Sequence, residues 1–101
     1  MKVSAMPSNN GRDLVIAVKG RFDFSSLQLF RGAYENANRQ PHTYIIDLKE
    51  ADYLDSSALG MLLALREHAM HSGAEIKIIN CNKDVKKILV ITKLDEIFMI
   101  E

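Results

Sequence analysis

Residues 43–65 restrict the fold of this chain more than any other stretch. Thr43, Tyr44, Ile45, Ile46, Asp47 and Leu48 form a short run with three apolar residues in succession, the pattern of a strand covered on both faces of a sheet. An acidic segment holding Glu50, Asp52 and Asp55 follows, and it reads as an exposed loop. It ends in Asp55-Ser56-Ser57, immediately before the pattern of Ala58, Leu59, Leu62, Leu63 and Leu65. Asp and Ser are among the best helix N-caps, each worth typically ~1 kcal/mol against alanine. The stretch is therefore a strand, a loop and a capped helix, with serine hydroxyls held at the positive end of the helix dipole.

The flanking segments fit the same alternation. Residues 2–6 alternate weakly and residues 13–18 read Asp-Leu-Val-Ile-Ala-Val, with Ser8-Asn9-Asn10-Gly11 between them, which predicts a β-hairpin. Gly20-Arg21-Phe22-Asp23-Phe24 then leaves the sheet. Ser25 or Ser26 can cap a first helix on which Leu27, Phe30, Tyr34 and Ala37 share a face. Pro41 places its end near Gln40. The second helix runs from Ser57 to about His71, where Ser72-Gly73 stops it with glycine in the left-handed C′ position.

Residues 75–80 carry Ile76, Ile78 and Ile79, another interior strand. Residues 83–92 form a third helix with Val85, Ile88, Leu89 and Thr92 on one face and Asp84 near its positive end. Residues 94–100 are apolar and fit either a short turn with an edge strand or a docking helix. Strand, helix and strand in repetition require right-handed crossovers and a parallel sheet. The predicted class is α/β (α+β), in the order β-β-α-β-α-β-α, as one domain over residues 1–101.

Charge and composition remove several functions. Thirteen basic and thirteen acidic side chains cancel, and no basic cluster is denser than residues 83–87, so the footprint of a nucleic-acid binder is missing. Cys81 has no partner for an internal disulfide, and the first residues lack the apolar segment of a signal peptide. Both favour a reducing cytoplasm. The longest clean apolar run, residues 58–65, is far below the eighteen or so residues that span a bilayer, and no membrane insertion is expected.

Enzyme chemistry finds no constellation. His68 and His71 lie on the predicted helix of Ser57 at roughly 17 to 21 Å from it, by the helical rise, and His42 precedes the central strand at the opposite end of the sheet. A serine nucleophile would need its base within hydrogen-bond reach. His68 and His71 at i, i+3 lack a third metal ligand, and the glycines at 11, 20, 32, 60 and 73 are too scattered for a phosphate-cradling loop. No catalytic residue, metal or cofactor is expected.

The second helix does offer surface. At 100° per residue Ala58, Leu62, Leu65 and Ala69 form one stripe, and Leu59, Leu63 and Met70 an adjoining one, with Arg66 between them. Either both stripes are core and Arg66 snorkels, or the second is a partly exposed patch beside Ser57. Met61, Ala64 and His68 flank the other side and are equally open.

A phosphate on the first turn of this helix would meet free backbone N–H groups and the positive end of the dipole, so the fold need not change. The surface would change, since roughly −1.5 to −2 units of charge would appear beside Asp52 and Asp55. The favourable dipole term is only ~0.3 to 1 kcal/mol, whereas like charges brought together in an interface cost several kcal/mol. Two tenfold steps of ~1.4 kcal/mol release a partner about a hundredfold. Binding is the property that such a modification moves.

In order and spacing, four segments resemble the STAS domain, in particular single-domain anti-sigma factor antagonists. They are Gly20-Arg21-Phe22-Asp23; Ile46-Asp47-Leu48 with Leu54-Asp55-Ser56-Ser57-Ala58-Leu59-Gly60; Ser72-Gly73-Ala74-Glu75-Ile76-Lys77-Ile78; and Val85-Lys86-Lys87-Ile88-Leu89 through Leu94-Asp95-Glu96-Ile97-Phe98. The resemblance covers nearly the whole chain. It implies a mixed sheet with helices packed mainly on one face. It also implies a phosphorylation-switched binding protein, monomeric or weakly dimeric. Unphosphorylated, it sequesters a serine kinase that doubles as an anti-sigma factor. Phosphorylated, it releases that kinase, and a metal-dependent serine phosphatase restores it.

By the same resemblance the acceptor is Ser57, ahead of Ser56, and Asp23 lies close to it. The partner-binding surface is expected to involve Asp23, Asp55, Ser56, Ala58, Leu59, Met61 and Leu63. The alternative is an accessory subunit of a lipid-transport ATPase complex, with Ser57 a cap only. Two departures from the family pattern stand out: Ala58 where many relatives have glycine, and Lys93 where glycine commonly ends the third helix.

Overall fold

Tyr44 and Ile46 are fully buried on the central strand, while Ile45 between them is only half-buried. That alternation records a sheet covered by helices on one side. The structure is a computed structural model describing residues 2–8, 10–36 and 40–101. Strands β1 (Val3–Pro7), β2 (Asp13–Val18), β4 (Thr43–Asp47), β6 (Glu75–Ile79) and β7 (Met99–Ile100) form a mixed five-stranded sheet in the order β1-β2-β4-β6-β7. β1 and β2 are the antiparallel hairpin, and β2, β4, β6 and β7 run parallel.

In register across the sheet stand Ile16, Ile46 and Ile78, all fully buried under the helices. The opposite face carries Met6, Val15, Ile45, Lys77 and Met99 in register, none of them fully buried. The expected cover on both faces of β4 is thus corrected: an apolar triplet signals an interior strand but does not say that both sides are dry.

Helices α1 (Leu27–Glu35) and α2 (Ser56–Ser72) pack side by side, and α3 (Lys83–Ile91) packs on a second, two-stranded sheet. That small sheet pairs β3 (Gly20–Phe22) with β5 (Ala51–Leu54) in parallel, Phe22 opposite Leu54. The segment at 20–22 does leave the main sheet, but it pairs again. The acidic "loop" is half strand, with Ala51 and Leu54 buried and Asp52 and Tyr53 exposed. Local pattern does not reveal a three-residue strand whose partner lies some thirty residues away.

The helix ends follow backbone chemistry. Gly73 takes φ +74° at the end of α2, where glycine, having no Cβ, adopts the left-handed conformation without steric penalty. Lys93 takes the same conformation, φ +63°, after α3 without glycine's freedom. α1 ends at Glu35 with Asn36 following, short of the expected end near Gln40; Ala37, assigned to its apolar face, lies outside the described residues. The open tail resolves into a single 3-10 turn at Leu94–Glu96 and the edge strand β7, with Leu94 and Phe98 buried.

Candidate functional site

The ends of β3 and β5 set out the site. Phe22 is fully buried, and its ring lies 5.1 Å from Phe30 of α1, which in turn lies 5.9 Å from Tyr34. Tyr34 meets Tyr44 of the central strand at 6.5 Å. This line of rings anchors α1 to the core. Leu54 is buried beside Phe22, and the Asp55 N–H donates to the Phe22 carbonyl at 3.3 Å. Asp23 and Asp55 therefore leave the small sheet next to each other.

Each aspartate caps a helical segment. The Asp55 carboxylate accepts the Ala58 N–H at 2.9 Å and caps α2. The Asp23 carboxylate accepts the Ser25 N–H at 3.0 Å and caps the 3-10 turn Phe24–Ser26 that leads into α1. Neither expected serine cap at the first helix is used: Ser25 donates its hydroxyl to Asp23, and Ser26, fully buried, makes no cap bond. A carboxylate one turn earlier reaches the orphan N–H groups first.

Asp23 is also the hub of two cations. Lys2 Nζ lies 3.3 Å from its Oδ1 and donates to Ser25 Oγ at 2.8 Å, and Arg21 Nε lies 3.6 Å from its Oδ2. The hydrogen bond from the Ser25 hydroxyl, followed by the bonds from Lys2 and the Ser25 backbone, holds the Asp23 carboxyl down at about 2. The Arg21 guanidinium in addition stands 4.8 Å over the Tyr53 ring.

With Asp55 as cap, both serines are free of that duty. Ser56 is exposed and Ser57 half-buried on the first turn of α2. Ser57 stands at the mouth of a groove of about 630 Å³ between α1 and α2. Phe24 and Leu27 line one wall, Gly60, Met61 and Ala64 the other. Phe24 is 70% exposed.

Among the expected surface residues, Asp23, Asp55, Ser56, Ser57, Leu59 and Leu63 reach solvent at least in part. Ala58 does not. It is fully buried in line with Leu62, Leu65 and Ala69, facing the sheet, and is removed from the surface. Met61 is 4% exposed and contributes only to the groove wall. The second stripe is open to solvent, Leu63 at 41% and Met70 at 62%.

Phe24, Lys2 and the Arg21–Tyr53 pair were missed as site residues. Phe22 and Phe24 alternate in the sequence, and nothing local says that one is core and the other bare. Lys2 lies twenty-one residues from Asp23, beyond any local pattern. Among the described residues no group of three or more metal-ligating side chains is assembled, and no helix is long and apolar enough to cross a membrane.

A STAS-domain containing protein of Pseudomonas aeruginosa (strain UCBPP-PA14) is 49% identical over 100 residues, 99% of each chain. The structure of the anti-sigma factor antagonist SpoIIAA in its unphosphorylated form superposes with TM-score 0.81 at 19% identity, over 98% of this chain and 87% of that one. The phosphorylated form of SpoIIAA from Bacillus superposes with TM-score 0.73 at 18% identity, over 98% and 90%. At such identities the superpositions establish the fold. The STAS domain family model matches residues 5–101, and with that match the chain belongs to the STAS family.

Proposed function

We propose that this chain is an anti-sigma factor antagonist, a non-enzymatic binding protein switched by phosphorylation of Ser57. The observation that carries the reading is the division of labour at the start of α2. Asp55 makes the cap bond, so Ser57 can take a phosphate without loss of the helix start. The phosphate would lie near free N–H groups of the first turn and beside the Asp55 carboxylate. Support also comes from SpoIIAA, a protein of the same fold described as an anti-sigma factor antagonist and solved in phosphorylated and unphosphorylated forms.

In this reading the unphosphorylated chain, a single cytoplasmic STAS unit over residues 1–101, sequesters a serine kinase that doubles as an anti-sigma factor. Phosphorylation releases the kinase, and a metal-dependent serine phosphatase resets the chain. Asp23, Asp55, Ser56, Ser57, Leu59 and Leu63 form the surface that is read, joined by Phe24.

The test is intact-mass measurement after incubation with serine kinases of the source organism and ATP. A gain of one phosphoryl group, lost in Ser57→Ala, is expected; no gain, or a gain that survives Ser57→Ala, overturns Ser57 as the acceptor. Ser57→Asp should weaken the kinase complex about a hundredfold by the like-charge argument. Unchanged affinity would instead favour permanent docking in a transport complex.

A further inference from the structure

The groove between α1 and α2 is longer than a phosphate requires. From Ser57 it follows α2 to His71, fourteen residues on, or about 21 Å at the helical rise. Phe24 leaves a largely bare ring at its mouth. Both walls are helical, and beyond the first turn of α2 their backbone groups are bonded within each helix, so the groove has no strand edge for an extended peptide to pair with.

Gly60 stands on the α2 wall with an ordinary helical backbone, and a Cβ built there meets nothing within 4 Å. Glycine is the least favourable residue but proline in a helix interior, and no contact inside this chain requires it. Charge along the groove is uneven as well. Arg31 of α1 is neutralised by Glu35 at 3.3 Å, whereas Glu67, exposed on the α2 wall, has no ion pair among the described residues.

On the reading of Ser57 as phosphate acceptor, we propose that this groove seats an amphipathic helix of the kinase partner. Its apolar side covers Phe24, Leu27 and Ala64, its backbone comes nearest at Gly60, and a lysine or arginine meets Glu67. About four turns of helix, at ~5.4 Å each, match the length of the groove. A third helix laid between two neighbours packs at the usual 8–10 Å spacing. The unpaired carboxylate selects a basic residue on the occupant. A phosphate on Ser57 then stands at the mouth of the seat, and the switch acts by closing the groove at one end.

The test uses the full chain and, as probe, the purified kinase that phosphorylates it in the mass assay, loaded with ADP. Gly60→Leu fills the groove yet favours the helix. Its thermal midpoint should equal or exceed that of wild type, while its affinity for the kinase falls at least tenfold. Glu67→Lys, far along the groove from Ser57, should weaken binding severalfold, and more so at low salt.

Affinity within twofold of wild type in Gly60→Leu overturns the proposal even where Ser57 is phosphorylated, and unchanged affinity in Glu67→Lys overturns the basic contact. Should wild type dimerise in sedimentation equilibrium and Gly60→Leu abolish the dimer, a second copy covers the groove and the proposal is likewise overturned. Should no kinase phosphorylate or bind wild type, the Ser57 reading fails and this one falls with it.

Discussion

Asp55 and Ala58 are joined by a 2.9 Å hydrogen bond from the Ala58 N–H to the Asp55 carboxylate, and this bond rather than a serine hydroxyl caps α2. Asp55→Ala should therefore lower stability by about 0.5–2 kcal/mol, and Asp55→Asn by much less. Ser56→Ala and Ser57→Ala should stay within about 0.5 kcal/mol of wild type. Urea denaturation of the four variants reads the difference directly.

Asp23 titrates at about 2 in the folded chain against 3.8 for the free group. A depressed carboxylate stabilises the fold above its unfolded value, and that contribution is lost as the pH falls from about 4 towards 2. In Ser25→Ala and Lys2→Ala the Asp23 carboxyl should titrate at higher pH than in wild type. Carbon-detected NMR titration of the Asp23 side chain checks this, and an unmoved midpoint in both variants would refute the assigned cause.

Lys93 holds φ +63° between α3 and the following 3-10 turn. A Cβ in the left-handed region carries a steric penalty that glycine lacks. Lys93→Gly should raise stability, by about 0.5 kcal/mol after glycine's larger loss of chain entropy is subtracted. Thermal denaturation should show the midpoint move upward, and a lower midpoint would mean that the Lys93 side chain makes a contact that matters more.

Leu62 and Leu63 are adjacent in sequence and opposite in environment, one fully buried and the other 41% exposed. Leu62→Ala should cost about 2–5 kcal/mol through lost burial and the cavity left behind. Leu63→Ala should change stability by no more than about 0.5 kcal/mol, while weakening the proposed kinase complex if that patch is read. Equilibrium unfolding and affinity measured on the same two proteins separate core from surface.

Periodicity made the hairpin, the parallel β2-β4-β6 core, all three helices and the glycine stop at Gly73 legible in the sequence, because each is signalled within a window of ten or so residues. The buried stripe of Ala58, Leu62, Leu65 and Ala69 was legible for the same reason. The β3–β5 pairing was not, since three residues carry no period and the partner is distant. Nor was the choice of Asp23 over Ser25 as a cap, which depends on which side chain reaches the free N–H groups. Six of the seven proposed contact residues, between Asp55 and Leu63, shared one neighbourhood in sequence, and the family resemblance added Asp23; only three-dimensional packing turned Ala58 inward and left Phe24 bare.

The small sheet of β3 and β5 has a consequence for how such a surface diversifies. Asp23 and Asp55 are brought together by main-chain bonds and by Phe22 and Leu54 beneath them, not by any attraction between the exposed side chains themselves. Duplicated copies of the chain could exchange Arg21, Phe24, Tyr53 or Leu59 one at a time and acquire different partners while the scaffold stays put. Paralogues in one cell could in this way be insulated from each other's partners by a few surface replacements, without new folds or longer loops.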